Sequence, residues 1–375
     1  MEINAHDLIV FHKNVKRTVG QEIYWNNTLA NNDSEIMHSI EKLINNKLLI
    51  KTNQFELSIH KLTNNDLKQV LKSNNLRTTG NKSQLIDRIN QNYSTIQGLA
   101  LPYIYVATEE GEKTLKNTSY LLSFDIETGV YSISIDRAYY LAKKYISQDC
   151  DDKVAEIYKF EFNRKYDNNS LNSSYYFEID QLISHYKKHK KDFEHARKYT
   201  NIYLYLTIRD LLYNLQNANY LFYEDDGELD LNRLQTKLDF YHESIYERML
   251  LIDRLSNEHI YKLFNEDTSE FDDLDDELSR KYINYIISLA KKEDEESEFN
   301  TLVELLKSDY ALDKEEFENE YEYDYESNFI ATDIETLSEL KSNIVVEVDT
   351  RSGKINFALD DAGIDKLTNI NNQNQ

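Results

Sequence analysis

The sequence predicts a mainly α-helical protein with a small α+β unit at the N-terminus and a short β-hairpin near the C-terminus. Over most of residues 131–326, apolar residues recur at intervals of three and four, which is typical of amphipathic helices. Short extended apolar runs near residues 48–50 and 102–106 flank residues 57–93, which have the pattern of two short helices joined by an extended loop. We therefore expect three parts, residues 1–130, 131–326 and 327–375.

The first helix with clear periodicity is expected after Asp33 and Ser34, both good helix-capping residues. Leu48 to Ile50 then form a short extended run. The apolar stripe of the helix consists of Ile36, Ile40, Leu43 and Ile44.

Two capping pairs define the helices of residues 57–93. Thr63 is followed three positions later by Asp66, a capping box that predicts a helix from about Asn64. Asn81 and Gln84 form a second, weaker pair. The apolar stripes are Leu67, Val70 and Leu71 in the first helix and Leu85, Ile86 and Ile89 in the second.

The connection between these helices is predicted to be extended. The first helix is expected to stop near Asn74 and Asn75, after which Leu76 turns inward as a plug. Gly80 offers the positive φ that a tight turn needs. Two amphipathic helices around one small core are the expected result.

This spacing resembles the SAP family of DNA-binding modules. The resemblance covers 37 of the 375 residues. Glycine is usual in the family where Asn75 stands, and a second basic residue where Asn81 stands. The resemblance implies binding to double-stranded DNA through phosphates and groove shape. The matching positions are Leu62-Thr63, Leu67-Lys68, Leu71-Lys72, Leu76, Gly80, Lys82 and Leu85-Ile86-Asp87-Arg88-Ile89.

Charge supports the same partner. Residues 57–93 contain six Lys/Arg and two acidic residues, a net +4, in a chain whose net charge is −24. Phosphate contacts supply most sequence-independent affinity for DNA, so a basic module in an acidic chain indicates a polyanion site. The alternative is a helical hairpin that packs on another protein. The expected DNA-binding residues are Lys61, Lys68, Lys72, Arg77, Thr79, Gly80, Asn81, Lys82 and Arg88.

Residues 102–115 predict a strand followed by a helix that Thr108 caps. The segment Thr108-Glu109-Glu110-Gly111, with Leu115 after it, resembles a "Thr-Glu-x-Gly, then leucine" segment of winged-helix proteins. With the helix before it, this segment makes residues 1–130 one N-terminal unit into which the basic module is inserted.

The middle of the chain predicts a bundle or stack of antiparallel helices, for which we expect a protein partner or self-association. Helical spacing runs through Ile179–Asn217 and through Leu231–Leu255. A basic island lies at residues 185–191, where His185 and His189 are four apart. Metal binding there is not expected, because no third ligand has a suitable spacing and the lysines repel a cation. An exposed basic face or a second phosphate contact explains the island better.

The acidic charge is concentrated in residues 266–326, which contain 23 Asp/Glu and six Lys/Arg. A solvated helical face is the simplest interpretation. A second is mimicry of a phosphate backbone, which would make the chain an inhibitor or decoy of a host DNA-binding protein, as in phage counter-defence. A third is self-inhibition, in which this region shields the basic module.

One short segment resembles the first motif of proofreading exonucleases, in which Asp and Glu two residues apart hold metal ions. It contains Asp125 and Glu127, but the further motifs of such enzymes are missing, and the same tetrapeptide recurs at Asp333–Thr336. A β-hairpin formed by residues 119–125 and 130–135 is the preferred interpretation. We expect no enzyme activity and no cofactor, with a metal-dependent nuclease as the weaker alternative.

The remaining features place bounds on the whole chain. A single cysteine, Cys150, excludes an internal disulfide, and no apolar run reaches membrane-spanning length, so a cytoplasmic protein is expected. Abundant Asn, Lys, Ile and Tyr indicate an AT-rich genome, such as that of a low-GC bacterium or its phage. Residues 344–348 and 354–358 predict a hairpin, and residues 371–375 a disordered tail.

Overall fold

The structure, a computed structural model, describes residues 2–23, 33–124, 133–167, 175–216, 222–223, 228–238, 242–271, 274–311, 344–349 and 354–359. The described residues are mostly helical, as the sequence predicts. The chain divides into two compact units, Met1–Ala196 and Arg197–Gln375. The predicted domain boundaries at residues 130 and 326 lie outside the described residues.

The first unit is built from nine helices and two strands among its described residues. Two short 3₁₀ turns, Ile59–Lys61 and Ser119–Ser123, and a π-helical turn, His185–Lys190, accompany them. In chain order the elements are α1 (Ala5–Asn14), α2 (Asp33–Asn45), β1 (Leu49–Thr52), α3 (Phe55–Ser58), α4 (Asn64–Ser73), α5 (Lys82–Gln91), β2 (Ile104–Ala107), α6 (Glu109–Thr118), α7 (Ile135–Lys144), α8 (Lys153–Asp167) and α9 (Tyr176–Ser184).

Strands β1 and β2 form the base from which the basic module projects. They pair antiparallel, with Leu49 opposite Ala107 and Thr52 opposite Ile104. The module therefore leaves and re-enters the unit at one end of this ladder. Beneath the ladder lies one apolar cluster, which is separate from the core of the module. Its buried members are Val10, Phe11, Ile36, Ile40, Leu43, Leu48, Leu49 and Tyr105.

Helix α6 begins as the sequence predicts and lies unusually close to β1. The Thr108 hydroxyl accepts from the Gly111 amide at 3.0 Å and donates to the Lys47 carbonyl at 2.7 Å. A Cβ atom at position 111 would overlap the carbonyl oxygen of Leu48. Only glycine therefore lets this helix approach the strand so closely.

Some sequence predictions for the first unit are wrong. Residues 119–123, predicted as part of a strand, form a 3₁₀ turn whose Leu121 is buried. The rest of that predicted hairpin, with Asp125 and Glu127, lies outside the described residues. The predicted continuous helix Ile179–Asn217 is interrupted after α9 by the π-helical turn and by Lys191, whose φ is 55°. Periodicity missed this break because a π turn keeps apolar residues on nearly the same face.

The second unit is also helical. Helix α10 (Phe193–Gln216) contains the division between the units. Predicted helix Leu231–Leu255 is present as α11, α12 and a π-helical turn, Arg248–Ile252, with residues 239–241 outside the described set. The remaining helices are α11 (Leu231–Leu238), α12 (Glu243–Glu247), α13 (Asn257–Thr268), α14 (Asp276–Lys291) and α15 (Glu295–Asp309).

The C-terminal hairpin strands are confirmed. Strands β3 (Ile344–Asp349) and β4 (Lys354–Leu359) pair antiparallel, with Ile344 opposite Leu359 and Asp349 opposite Lys354. The predicted tail at residues 371–375 and the recurrence at Asp333–Thr336 lie outside the described residues. Among the helices that the structure describes, none has the length and apolar character needed to cross a bilayer.

Candidate nucleic-acid interface

Two complete capping boxes fix the start of the module helices. At α4 the Asp66 amide donates to the Thr63 hydroxyl at 3.2 Å, and the Thr63 amide donates to the Asp66 carboxylate at 2.8 Å. At α5 the Gln84 amide donates to Asn81 Oδ1 and the Asn81 amide to Gln84 Oε1, both at 3.0 Å. Both predicted caps are thus present, and the backbone donors at each helix start are satisfied.

The core of the module is small and extends beyond the two helices. Leu67, Leu71, Leu85 and Ile89 are all fully buried. Phe55 and Ile59 join them from the preceding segment, which the sequence pattern did not indicate. Half-buried side chains complete the cluster from both flanks, including the predicted plug. These are Leu62, Val70, Leu76, Ile96, Leu99 and Leu101.

The loop between the helices is held by Arg88. Its Nη1 donates to the carbonyl oxygens of Arg77 at 2.6 Å and of Thr79 at 3.2 Å. Arg77 Nε in turn donates to the Thr79 hydroxyl at 2.6 Å. Two residues take positive φ, Asn75 at 57° and Gly80 at 133°. Asparagine therefore serves at position 75 where the SAP pattern has glycine.

Arg77 and Arg88 line a shallow cavity of about 360 Å³ at the loop and the exposed side of α5. Its one acidic residue among the described residues is Asp87. The full lining is Arg77, Thr79, Gly80, Gln84, Asp87, Arg88 and Gln91. The cavity presents mainly cationic and amide donors, which suits an anionic or hydrogen-bonding ligand such as a nucleic-acid backbone.

The two helix N-termini differ in charge. Hydrogen bonds from the Thr63 hydroxyl and amide lower the pKa of Asp66, so its carboxylate stays ionised and compensates the start of α4. The first turn of α5 has no acidic residue, and its first residue is Lys82. The positive end of the α5 dipole is therefore left for an external anion.

The structure brings six of the nine predicted residues together at one place. Lys82 Nζ donates to the His60 carbonyl at 2.8 Å, beside Lys61 at the end of the 3₁₀ turn. None of the module's basic side chains forms an ion pair with any residue that the structure describes. The six that cluster are Arg77, Thr79, Gly80, Asn81, Lys82 and Arg88.

Lys68 and Lys72 stand apart from this group. Both are exposed on α4, four residues apart, and within the described part of the chain neither makes a side-chain hydrogen bond to the loop. Sequence reasoning missed the bracing role of Arg88 and the contribution of Gln84, Asp87 and Gln91 to the cavity. The capping position of Gln84 was the only signal that placed one of these near the loop.

Replacing Arg88 by lysine is expected to weaken DNA binding although the charge is kept. Lysine cannot bond two carbonyl oxygens with the fixed fork geometry of a guanidinium, so the loop is held less firmly. We expect about a three- to tenfold rise in Kd, corresponding to about 1 kcal/mol, in an electrophoretic or anisotropy assay. The slope of log affinity against log salt is expected to stay unchanged. A slope that falls with the affinity would mean that Arg88 contacts phosphate directly.

Other candidate sites lead elsewhere. His185 Nε2 lies 3.0 Å from both carboxylate oxygens of Asp152, so this histidine is occupied by an ion pair. Within the described residues no group of three or more His, Cys, Asp or Glu is arranged to hold a metal. A larger open depression of about 730 Å³ lies along α13 and is lined by residues such as Glu258, Lys262 and Glu266. Its mixed charge does not favour DNA.

Comparison with known proteins agrees with this site. Residues 58–94 match the family model of the SAP domain. The match confirms the SAP module that the sequence predicts, and it indicates DNA binding in general terms. No curated protein and no solved structure matches the chain.

Proposed function

We propose that the chain binds double-stranded DNA through a face formed by residues 77–82 and the first turn of α5. The observation that carries the proposal is the combination of an uncompensated helix N-terminus with a loop that Arg88 holds open beside it. A duplex backbone offers the anionic oxygens that these donors need.

The contacts divide into two kinds. Arg77 and Lys82 supply charge, and the amides of Thr79, Gly80 and Asn81 supply dipoles directed at a phosphate. Lys61, Lys68 and Lys72 add to the field around this face. Such contacts carry little sequence information, so we propose recognition of backbone and groove shape, with specificity low.

We propose that the helical second unit serves a protein partner or a second copy of the chain, and that the protein itself is not an enzyme. One feature that supports a protein contact is a pair of adjacent exposed apolar side chains. Leu251 and Ile252 are 71% and 65% exposed on the π-helical turn of this unit. Side chains of this kind are often covered in an assembly.

Substituting Arg77→Gln together with Lys82→Gln tests the DNA proposal. Glutamine keeps a donor and the chain length but removes both charges. Because each phosphate contact contributes about 0.9 to the salt slope, we expect that slope to fall by about 1.8 and Kd at low salt to rise about tenfold or more. Binding of a short duplex to the full chain is measured by fluorescence anisotropy over a salt series.

The matched control is Lys113→Gln with Lys116→Gln, which removes the same charge from exposed α6 positions of the same unit. Asp87→Asn provides an arm of opposite sign, since loss of the cavity's acidic residue is expected to raise affinity about two- to fivefold at low salt. Equal losses in the double variant and its control would contradict the proposal. Absence of binding by the wild type at low salt would favour a scaffold or a DNA-mimic decoy.

A further inference from the structure

The basic island of the first unit has a defined shape. After α9, residues His185–Lys190 form one π-helical turn, and Lys191 closes it in the left-handed conformation with φ 55°. The Asp192 amide donates to the Tyr186 carbonyl at 2.9 Å, which completes the cap. Such turns are rare and are often found at functional sites.

Asp152 holds both ends of this turn. Its carboxylate lies 3.0 Å from His185 Nε2 and 3.1 Å from Lys190 Nζ, and it also accepts from the Ala155 amide at 3.2 Å at the start of α8. Residues 185 and 190 are five apart, the spacing that a π turn brings onto one side. Burial raises the pKa of Asp152, but the bonds from His185, Ala155 and Lys190 outweigh it and lower the pKa to about 2. The anchor therefore stays charged at neutral pH.

With His185 and Lys190 directed to the anchor, the rest of the turn is presented to solvent. Lys188, His189 and Lys191 are exposed, and neither Lys188 nor Lys191 forms an ion pair with a described residue. The acid that follows them, Asp192, already bonds His195 Nδ1 at 2.8 Å. Among residues 185–191 there are four lysines and no acid. We call Lys187, Lys188, Lys190 and Lys191 the π-turn lysines.

We propose that the π-turn lysines are a second phosphate-binding surface for the duplex that the SAP-like module binds. The inference rests on the proposed function of that module. Two observations favour DNA as the occupant. The turn concentrates positive charge in a chain of net charge −24, and it belongs to the same compact unit as the module, Met1–Ala196. A second contact on the same molecule acts at a high effective concentration, which strengthens a small module with few contacts of its own.

The test is Lys188→Gln with Lys191→Gln in the full chain, beside the Lys113→Gln and Lys116→Gln control. At a duplex length that fills both surfaces, we expect the salt slope of the variant to fall by about 1.8 relative to the wild type, because two phosphate contacts are lost. Across duplexes of increasing length, wild-type affinity is expected to rise further after the variant's affinity has reached a plateau.

The outcomes separate the two claims. If the wild type binds and the variant matches the control in both slope and length dependence, the second surface is wrong and the function of the module stands. If the variant loses slope equally on every duplex length, the lysines act as a general field, and a second contact is again contradicted. A wild-type chain that binds no duplex at low salt overturns both claims. Circular dichroism of the variant verifies that α8 and α9 remain folded.

Discussion

Substituting Leu71→Ala is expected to unfold the SAP-like module while the rest of the first unit stays folded. Leu71 is fully buried in the module cluster. Removing a buried leucine side chain costs about 2–5 kcal/mol, and a core of this size supplies only about 3–5 kcal/mol. The cluster beneath the β1–β2 ladder shares no buried residue with that of the module, so it retains its own packing.

Hydrogen exchange of the full chain measures this effect directly. Amides of α4 and α5 are expected to lose protection by a factor of about 100 or more, and those of α1 and α2 to keep it. DNA binding is expected to be lost together with the module. Leu57→Ala is the matched control, because Leu57 in α3 is 42% exposed and its loss leaves little cavity. Protection that falls equally in α1 and α4 would show one cooperative core and contradict this prediction.

Substituting Gly111→Ala is expected to have the opposite distribution. The added Cβ would overlap the Leu48 carbonyl oxygen and press against Phe11, and neither a backbone oxygen nor a fully buried ring can move cheaply. Overpacking of this kind costs about 1–3 kcal/mol, which exceeds the gain of up to about 1 kcal/mol in helix propensity. We expect net destabilisation of the unit around β1, with the core of the module intact.

The measurement is again hydrogen exchange, read at α1, α2 and β1, with thermal unfolding of the full chain beside it. Asn117→Ala in the same helix is the control, since Asn117 is exposed and alanine only improves local helix propensity. A Gly111→Ala chain as stable as this control would mean that α6 can shift away from β1. The close approach would then not be a requirement of the fold.

Local patterns were enough to predict the module. Its caps depend on side chains three residues apart, and its core on spacings of three and four, so both follow from the sequence of one segment. The positive φ of Asn75 and Gly80 follows from the few residues that tolerate it. These predictions needed no knowledge of the rest of the fold.

What the pattern missed depends on contacts between segments. Phe55 and Ile59 join the core only because the chain folds back on itself before α4. Arg88 binds Arg77 and Thr79 because of the path of a loop eleven residues earlier, and its type alone indicated only a phosphate contact. The break at the π-helical turn depends on Asp152, which is 33 residues from His185 in sequence.

The central claim is that DNA lies against the loop and the start of α5. Titration of a deuterated, ¹⁵N-labelled full chain with a short duplex at low salt tests it most directly by backbone amide chemical shifts. We expect the largest shift changes at Thr79, Gly80, Asn81 and Lys82, since these amides face the phosphate. Unchanged resonances at these four residues in the presence of bound duplex would contradict the claim.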